Sequence, residues 1–225
     1  MERKLVEVKT TRRYDASGRR AQAARTQTTI LDIARRQFLE HGYAATTVAQ
    51  VAAEAGTSLE TVYKAFGGKS GLVRALWERG LQGRGDVPAP ERSDLLSSAQ
   101  TDPVRVLRGW GTFTTELAPE VAPIMLLLRG AAATDADVAA LFAEAEAQRR
   151  TRMRHNARRL QQRGWLRPGI GLAQATDILW TYSSAEFYDL LVLKSGWSVK
   201  RYGEFLGNAL ISALLPHERE TGHLA

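Results

Sequence analysis

Cysteine is absent from the 225 residues, which excludes a disulfide framework and any thiolate metal site and suits a reducing compartment. No apolar run approaches the roughly 20 residues a membrane-spanning helix needs, and the N-terminus lacks the apolar core of a signal peptide. A cytoplasmic protein with no membrane partner is expected. Histidine is scarce, and His41, His155, His217 and His223 show neither ligand nor base spacing. Strand alternation is missing, and no Gly-rich phosphate loop follows a strand. Glu186 and Asp189 share a helix face at i, i+3, but such carboxylates are more often ion-pair partners than an acid–base pair. No metal, cofactor or catalytic residue, and no enzyme, is expected.

What is present is positive charge, unevenly placed. The net charge is +7, and residues 1–80 hold 14 Lys and Arg against 8 Asp and Glu, whereas residues 81–225 hold 17 against 16. Clustered positive charge is the footprint of a phosphate-binding surface. Ordinary solubility charge would not be segregated in this way. Residues 1–24, with Arg3, Lys4, Lys9, Arg12, Arg13, Arg19 and Arg20, read as a mobile basic arm.

Within the basic third, the stretch from Thr46 to Leu72 reads as two short helices, a tight turn and the start of a third helix. Gly56 marks the turn, because it takes φ > 0 at no steric cost. Before it, Val48, Val51, Ala52 and Ala55 repeat at i, i+3, i+4, i+7, and Thr47 with Gln50 has capping-box spacing. After it, Ser58 suits an N-cap for a helix with core face Leu59, Val62 and Phe66. Glu60, Thr61 and Lys64 then point outward, with Tyr63 at the edge. This is the geometry of a recognition helix lying in the major groove of DNA. Lys64 can donate to guanine, Thr61 can touch a thymine methyl, and Glu60 can accept from cytosine. Thr46 and Thr47 sit at a helix N-terminus, which favours a phosphate, and Lys69 opens the next helix beside them.

These residues resemble the N-terminal domain of the tetracycline-repressor (TetR) family of transcriptional regulators. The resemblance is carried by Thr47, Val51, Ala52, Ala55, Gly56, Ser58, Val62, Tyr63, Phe66, Lys69 and Leu72, and by Ile30, Ile33, Ala34, Phe38, Gly42 and Tyr43 in the preceding helix, expected from Thr26 to His41. Glu60 and Ala65 depart from the family, standing where a Gly and an aromatic or His are common. The resemblance covers about residues 25–80. It implies that Thr46, Thr47, Ser58, Glu60, Thr61, Tyr63, Lys64 and Lys69 form the DNA-binding set.

Beyond a turn-rich connector at 81–101 the chain reads as helices over about 103–117, 119–132, 135–163, 172–194 and 198–215. Breaks fall at Pro119, Thr134, the Gly164–Gly171 segment and Gly196. Family members enclose an effector among these helices, and pockets of that kind are apolar with few polar groups. The pocket residues expected are Trp110, Phe113, Met125, Leu128, Phe142, Arg149, Met153, Trp180, Tyr182 and Glu186. Arg149 projects onto an apolar stripe and so needs a partner, with Glu186, Asp189 or an anionic ligand as candidates. The other arginines of that helix read as a solvated face. Phe187, Leu191, Val199, Tyr202, Leu206 and Leu210, on the last two helices, read as a dimer interface, which the resemblance also implies.

The expected fold is all-α, with an N-terminal three-helix helix-turn-helix DNA-binding head at 25–80 and a C-terminal helical ligand-binding and dimerisation body at 102–216, followed by a tail at 217–225. The expected function is a homodimeric repressor that leaves double-stranded operator DNA when a small-molecule effector binds. A ligand-independent or activating regulator is the alternative, ahead of an architectural DNA binder or a small-molecule enzyme.

Overall fold

The computed structural model describes residues 16–83 and 87–216, and regular structure among them is helical. Four helices build the head: α1 (Ala16–Ala45), α2 (Val48–Glu54), α3 (Leu59–Phe66) and α4 (Lys69–Gln82). The body follows as α5 (Ala89–Ala99), α6 (Pro103–Ala131), α7 (Ala136–Gln162), α8 (Leu172–Tyr182), α9 (Ala185–Tyr188) with a π-helical continuation Asp189–Lys194, and α10 (Val199–Leu214). The segments 1–15 and 217–225, parts of the expected arm and tail, lie outside the described residues.

The local signals in the head act as their chemistry dictates. Thr47 and Gln50 close a reciprocal capping box at α2, and the Ser58 hydroxyl accepts from the Thr61 amide at α3. Gly56 sits at φ 62° between them. α1 begins at Ala16 instead of Thr26, so residues 16–24 of the expected arm are helical, although Gly18–Arg25 stays exposed. The N-terminal core is one cluster in which Ile30, Ala34, Phe38, Val51, Val62, Leu72 and Val73 meet Ile124, Leu128, Val138 and Leu141 of the body. Head and body therefore share a core rather than hanging on a linker.

One expected break and one expected continuous helix are corrected. α6 runs through Pro119 without interruption. A proline removes one helical donor, and Pro123 leaves the Pro119 carbonyl without its partner four residues on. Arg35 of α1 supplies the missing donor, its Nη2 lying 3.0 Å from the Pro119 oxygen, while its Nε forms an ion pair with Glu120 at 3.3 Å. The expected continuous helix at 172–194 is instead divided at Ser183 and Ser184. Ser184 takes extended backbone, and the chain resumes as α9 and its π turn. The Ser183 hydroxyl donates back to the Trp180 carbonyl, a local bond that competes with helical pairing.

α10 packs tightly on α6. A β-carbon built on Gly203 would lie 2.6 Å from the Gly111 carbonyl oxygen, and one on Gly111 would lie 2.9 Å from the Gly207 nitrogen. Only glycine permits this approach. The seam draws Tyr202, Leu206 and Leu210 inward to 1%, 3% and 7% exposure. These three were expected on the dimer face and are corrected: they are core of the single chain. Phe187, Leu191 and Val199 remain half-buried, while Leu190 and Leu193 are 55% and 54% exposed.

Candidate functional site

Two functional regions emerge, a polar face on the head and a cavity in the body, and α4 reaches both. On the head face, Glu60, Thr61 and Lys64 are exposed. No ion pair joins Glu60 to Lys64 among the described residues, so both are open to bases. Tyr63 is 51% exposed, and so is Leu59 at 45%. Leu59 was expected in the core and is corrected. It is the first residue of α3, one turn ahead of the fully buried Val62, where no neighbouring helix reaches it. Ser58 spends its oxygen capping α3 and stands 2.8 Å from the Thr61 hydroxyl.

Thr46 is corrected more sharply. It is 1% exposed, and its hydroxyl lies 3.1 Å from the Gln37 carbonyl and 2.9 Å from the Gly42 carbonyl. The hydroxyl seals the end of α1, where the helical backbone breaks at Gly42, and is unavailable to a phosphate. Thr47 stays exposed. Lys69 donates to the Ala44 carbonyl at 3.2 Å, with its ammonium 4.2 Å from the centre of the Tyr43 ring. Burial lowers its pKa, partly opposed by Asp135.

Tyr43 continues this contact into the body. Its hydroxyl donates to Asp135 Oδ2 at 2.9 Å, and Asp135 is the N-cap of α7, accepting from the Val138 amide at 3.1 Å. Burial first, and then that carboxylate, push the Tyr43 pKa far up. The phenol is therefore a fixed donor at any ordinary pH. Arg74 of α4 pairs with Glu144 of α7 at 2.7 Å, and Arg79 of α4 pairs with Asp32 of α1 at 2.7 Å.

The cavity has a volume of about 300 Å³ and lies between α4, α6, α7, α8 and α10. Of the ten expected pocket residues, Trp110, Phe113, Met125, Arg149, Met153 and Tyr182 line it. Four do not and are corrected. Leu128 is fully buried in the shared head–body core, with Phe142 packed against that core. Trp180 stacks between Arg149 and Arg150, and Glu186 turns away to an ion pair with Arg129. Sequence reasoning missed Trp77 and Leu81 of α4, Asn156 of α7, and Tyr188, Tyr202 and Leu206. The α10 residues escaped notice because their apolar stripe served equally well as a dimer face.

Arg149 does find partners, but not the expected ones. It is bidentate to Glu146 at 3.2 and 2.7 Å and donates to the Ser183 hydroxyl at 2.8 Å and to the Trp180 carbonyl. Asp189 is paired with Lys194 instead. Arg152 and Arg159 are not a solvated face either. Arg152 grips Asp94 of α5 with two bonds of 2.8 Å, and Arg159 and His155 lie 3.1 and 3.3 Å from the same carboxylate. Among the described residues no group of His, Asp and Glu could hold a metal ion, and no helix is long and apolar enough to cross a membrane.

The described residues form a helix-turn-helix head joined through a shared core to a helical body with an apolar cavity. Residues 30–76 match the bacterial regulatory proteins of the tetR family. It is 36% identical over 70 residues to an uncharacterised HTH-type transcriptional regulator, YvkB, of Bacillus subtilis (strain 168). That span is 31% of this chain and 37% of the relative, so the chain matches little more than a third of that protein. SmeT of Stenotrophomonas maltophilia, solved in complex with triclosan, shares the fold with a TM-score of 0.69 at 24% identity, over 86% of this chain and 93% of that one. NalD of Pseudomonas aeruginosa, the secondary repressor of a multidrug efflux pump, aligns with a TM-score of 0.64 at 20% identity, over 86% of this chain and 98% of that one.

Proposed function

We propose that the protein is a homodimeric transcriptional repressor that releases double-stranded operator DNA when a small molecule enters the body cavity. The observation that carries this reading is the course of α4. Its first residue, Lys69, lies beside the head's outward face, and Trp77 and Leu81 near its other end line the cavity. A ligand that repositions these two side chains acts on the helix that carries the phosphate contact. The names of SmeT and NalD support the same role. In each half-site α3 enters the major groove with Glu60, Thr61 and Lys64 toward base edges, while Thr47, Tyr63 and Lys69 hold the backbone. The two recognition helices lie about 34–36 Å apart. Effector binding favours a spacing that no longer fits, by no more than its differential affinity for the two states. The dimer contact falls to Phe187, Leu191 and Val199, joined by the exposed Leu190 and Leu193.

The test is selection of bound DNA from a random pool at fixed salt, followed by titration of the selected complex with metabolite extracts. Release of a pseudo-palindromic DNA by an extract component supports repression with effector release. A sequence-specific complex that no extract perturbs points to ligand-independent action, and binding without sequence preference overturns the reading.

A further inference from the structure

The walls of the cavity say what kind of molecule it takes. Three charged side chains reach them: Glu146, Arg149 and Arg152. Each is already engaged: Arg149 is bidentate to Glu146, and Arg152 is bidentate to Asp94, a carboxylate it shares with Arg159. An ionic ligand would lose its hydration and have to compete with these standing ion pairs. The remainder is mostly apolar and aromatic, with Trp77, Trp110, Phe113, Met125, Met153 and Leu206 among the lining residues.

Against this background one polar group is unspent. Asn156 is 6% exposed and lines the cavity, and its carboxamide makes no hydrogen bond among the described residues. Buried carboxamides are normally satisfied. Its polar atoms are not among those sealed from solvent without a hydrogen bond, which among the described residues are Arg35 Nε and Trp180 Nε1, so the carboxamide opens onto the cavity. Tyr202 is similar: it is 1% exposed, lines the same cavity, and has its ring edge-on to Tyr188 at 5.5 Å. Its hydroxyl has no hydrogen-bond partner among the described residues, and burial raises its pKa, leaving it a neutral donor. A carboxamide offers donors and an acceptor but no charge. An apolar cavity of about 150 Å³ holds one benzene, so about 300 Å³ admits two fused six-membered rings.

We propose that the ligand is an uncharged, mostly apolar molecule of about two fused rings, bearing one hydroxyl, carbonyl or amide group that the Asn156 carboxamide receives, with the Tyr202 hydroxyl as a second hydrogen-bonding group. This inference rests on the cavity being the effector site. It sets aside the anionic ligand that stood beside Glu186 and Asp189 among the candidate partners of Arg149.

Four matched probes test it on the full-length protein: naphthalene, 2-naphthol, 2-naphthoate and (2-naphthyl)trimethylammonium. Binding is read by calorimetry and by quenching of Trp77 and Trp110. At pH 7, 2-naphthol should bind at least tenfold more tightly than either ion and several-fold more tightly than naphthalene. Asn156→Leu should erase the advantage of 2-naphthol over naphthalene, and Tyr202→Phe, a milder change, should reduce it in part. Equal or tighter binding of either ion, an intact 2-naphthol preference in both variants, or no binding of any probe overturns the proposal. Release of the selected operator is followed in parallel. Selective 2-naphthol binding that leaves the DNA complex intact upholds the ligand chemistry and removes the regulatory reading. Release by 2-naphthoate alone does the reverse.

Discussion

Lys64 and Lys69 are both lysines of the proposed DNA face, yet their surroundings suit them to different work. Lys64 is exposed and without a partner on the recognition helix, and a good base contact there contributes about 1–3 kcal/mol of discrimination. Lys64→Ala should relax preference at one base pair in each half-site, measured against every single-base change of the selected operator. An even loss across all changes would make Lys64 a backbone contact. Lys69 is already aimed by the Ala44 carbonyl and the Tyr43 ring. Lys69→Ala should weaken all sequences alike and lower the salt slope by about one. A changed base preference would reassign it. Caps and turns such as Thr47, Ser58 and Gly56 were legible because their geometry depends on neighbours within four residues. Thr46 and Leu59 were not, because their burial is decided by whether another segment arrives. Arg149 needed a partner, as read, but Glu146 one turn back was closer than any ligand.

At the scale of elements, the sequence marked most helices correctly and misjudged how proline and serine act within them. Pro119 read as a break because the donor from Arg35 comes from 84 residues away. The Asp94 cluster joining α5 to α7 was invisible for the same reason. Burial would raise the Asp94 pKa, but Arg152, His155 and Arg159 together hold it below the ordinary carboxylate value. A carboxyl depressed on folding contributes stability that is present above its unfolded pKa and lost as pH falls through the folded one. The α5–α7 junction should therefore loosen only below about pH 4. Amide exchange in α5 should quicken there, and Asp94→Asn should abolish that acid dependence while exchanging faster at neutral pH. No change in α5 exchange between pH 5 and pH 3 would separate Asp94 from the junction.

For the whole molecule, assembly and coupling are the properties at stake. Leu190 and Leu193 are exposed, whereas Leu206 is core. Leu193→Arg should yield folded monomers by sedimentation, and Leu206→Arg, which buries an unpaired charge, should yield insoluble chains. A dimeric Leu193→Arg protein would place the interface elsewhere. In the proposed mechanism coupling would pass through contacts such as Tyr43 to Asp135, which ties the Lys69 corner to the N-terminus of α7. Tyr43→Phe should keep both operator and effector affinity, yet lower the ratio of operator affinities without and with effector toward one, from the roughly 5–150-fold of coupled regulators. An unchanged ratio would show that α4 alone carries the signal.

The glycine seam between α6 and α10 bears on this at a distance. Tyr202, Leu206 and Leu210 stand on the cavity from a helix that has no slack against its neighbour, since even one methyl at Gly203 would strike the Gly111 carbonyl. Trp77 and Leu81 stand on it from α4, which is held to its neighbours by side chains, through Leu72, Val73 and Leu76 in the shared core and the ion pairs of Arg74 and Arg79. On the proposed reading, the α10 wall is the one fixed by backbone contact, and a guest would displace the α4 wall, so the direction of the response would be set by the protein's own anatomy and not by the shape of the guest.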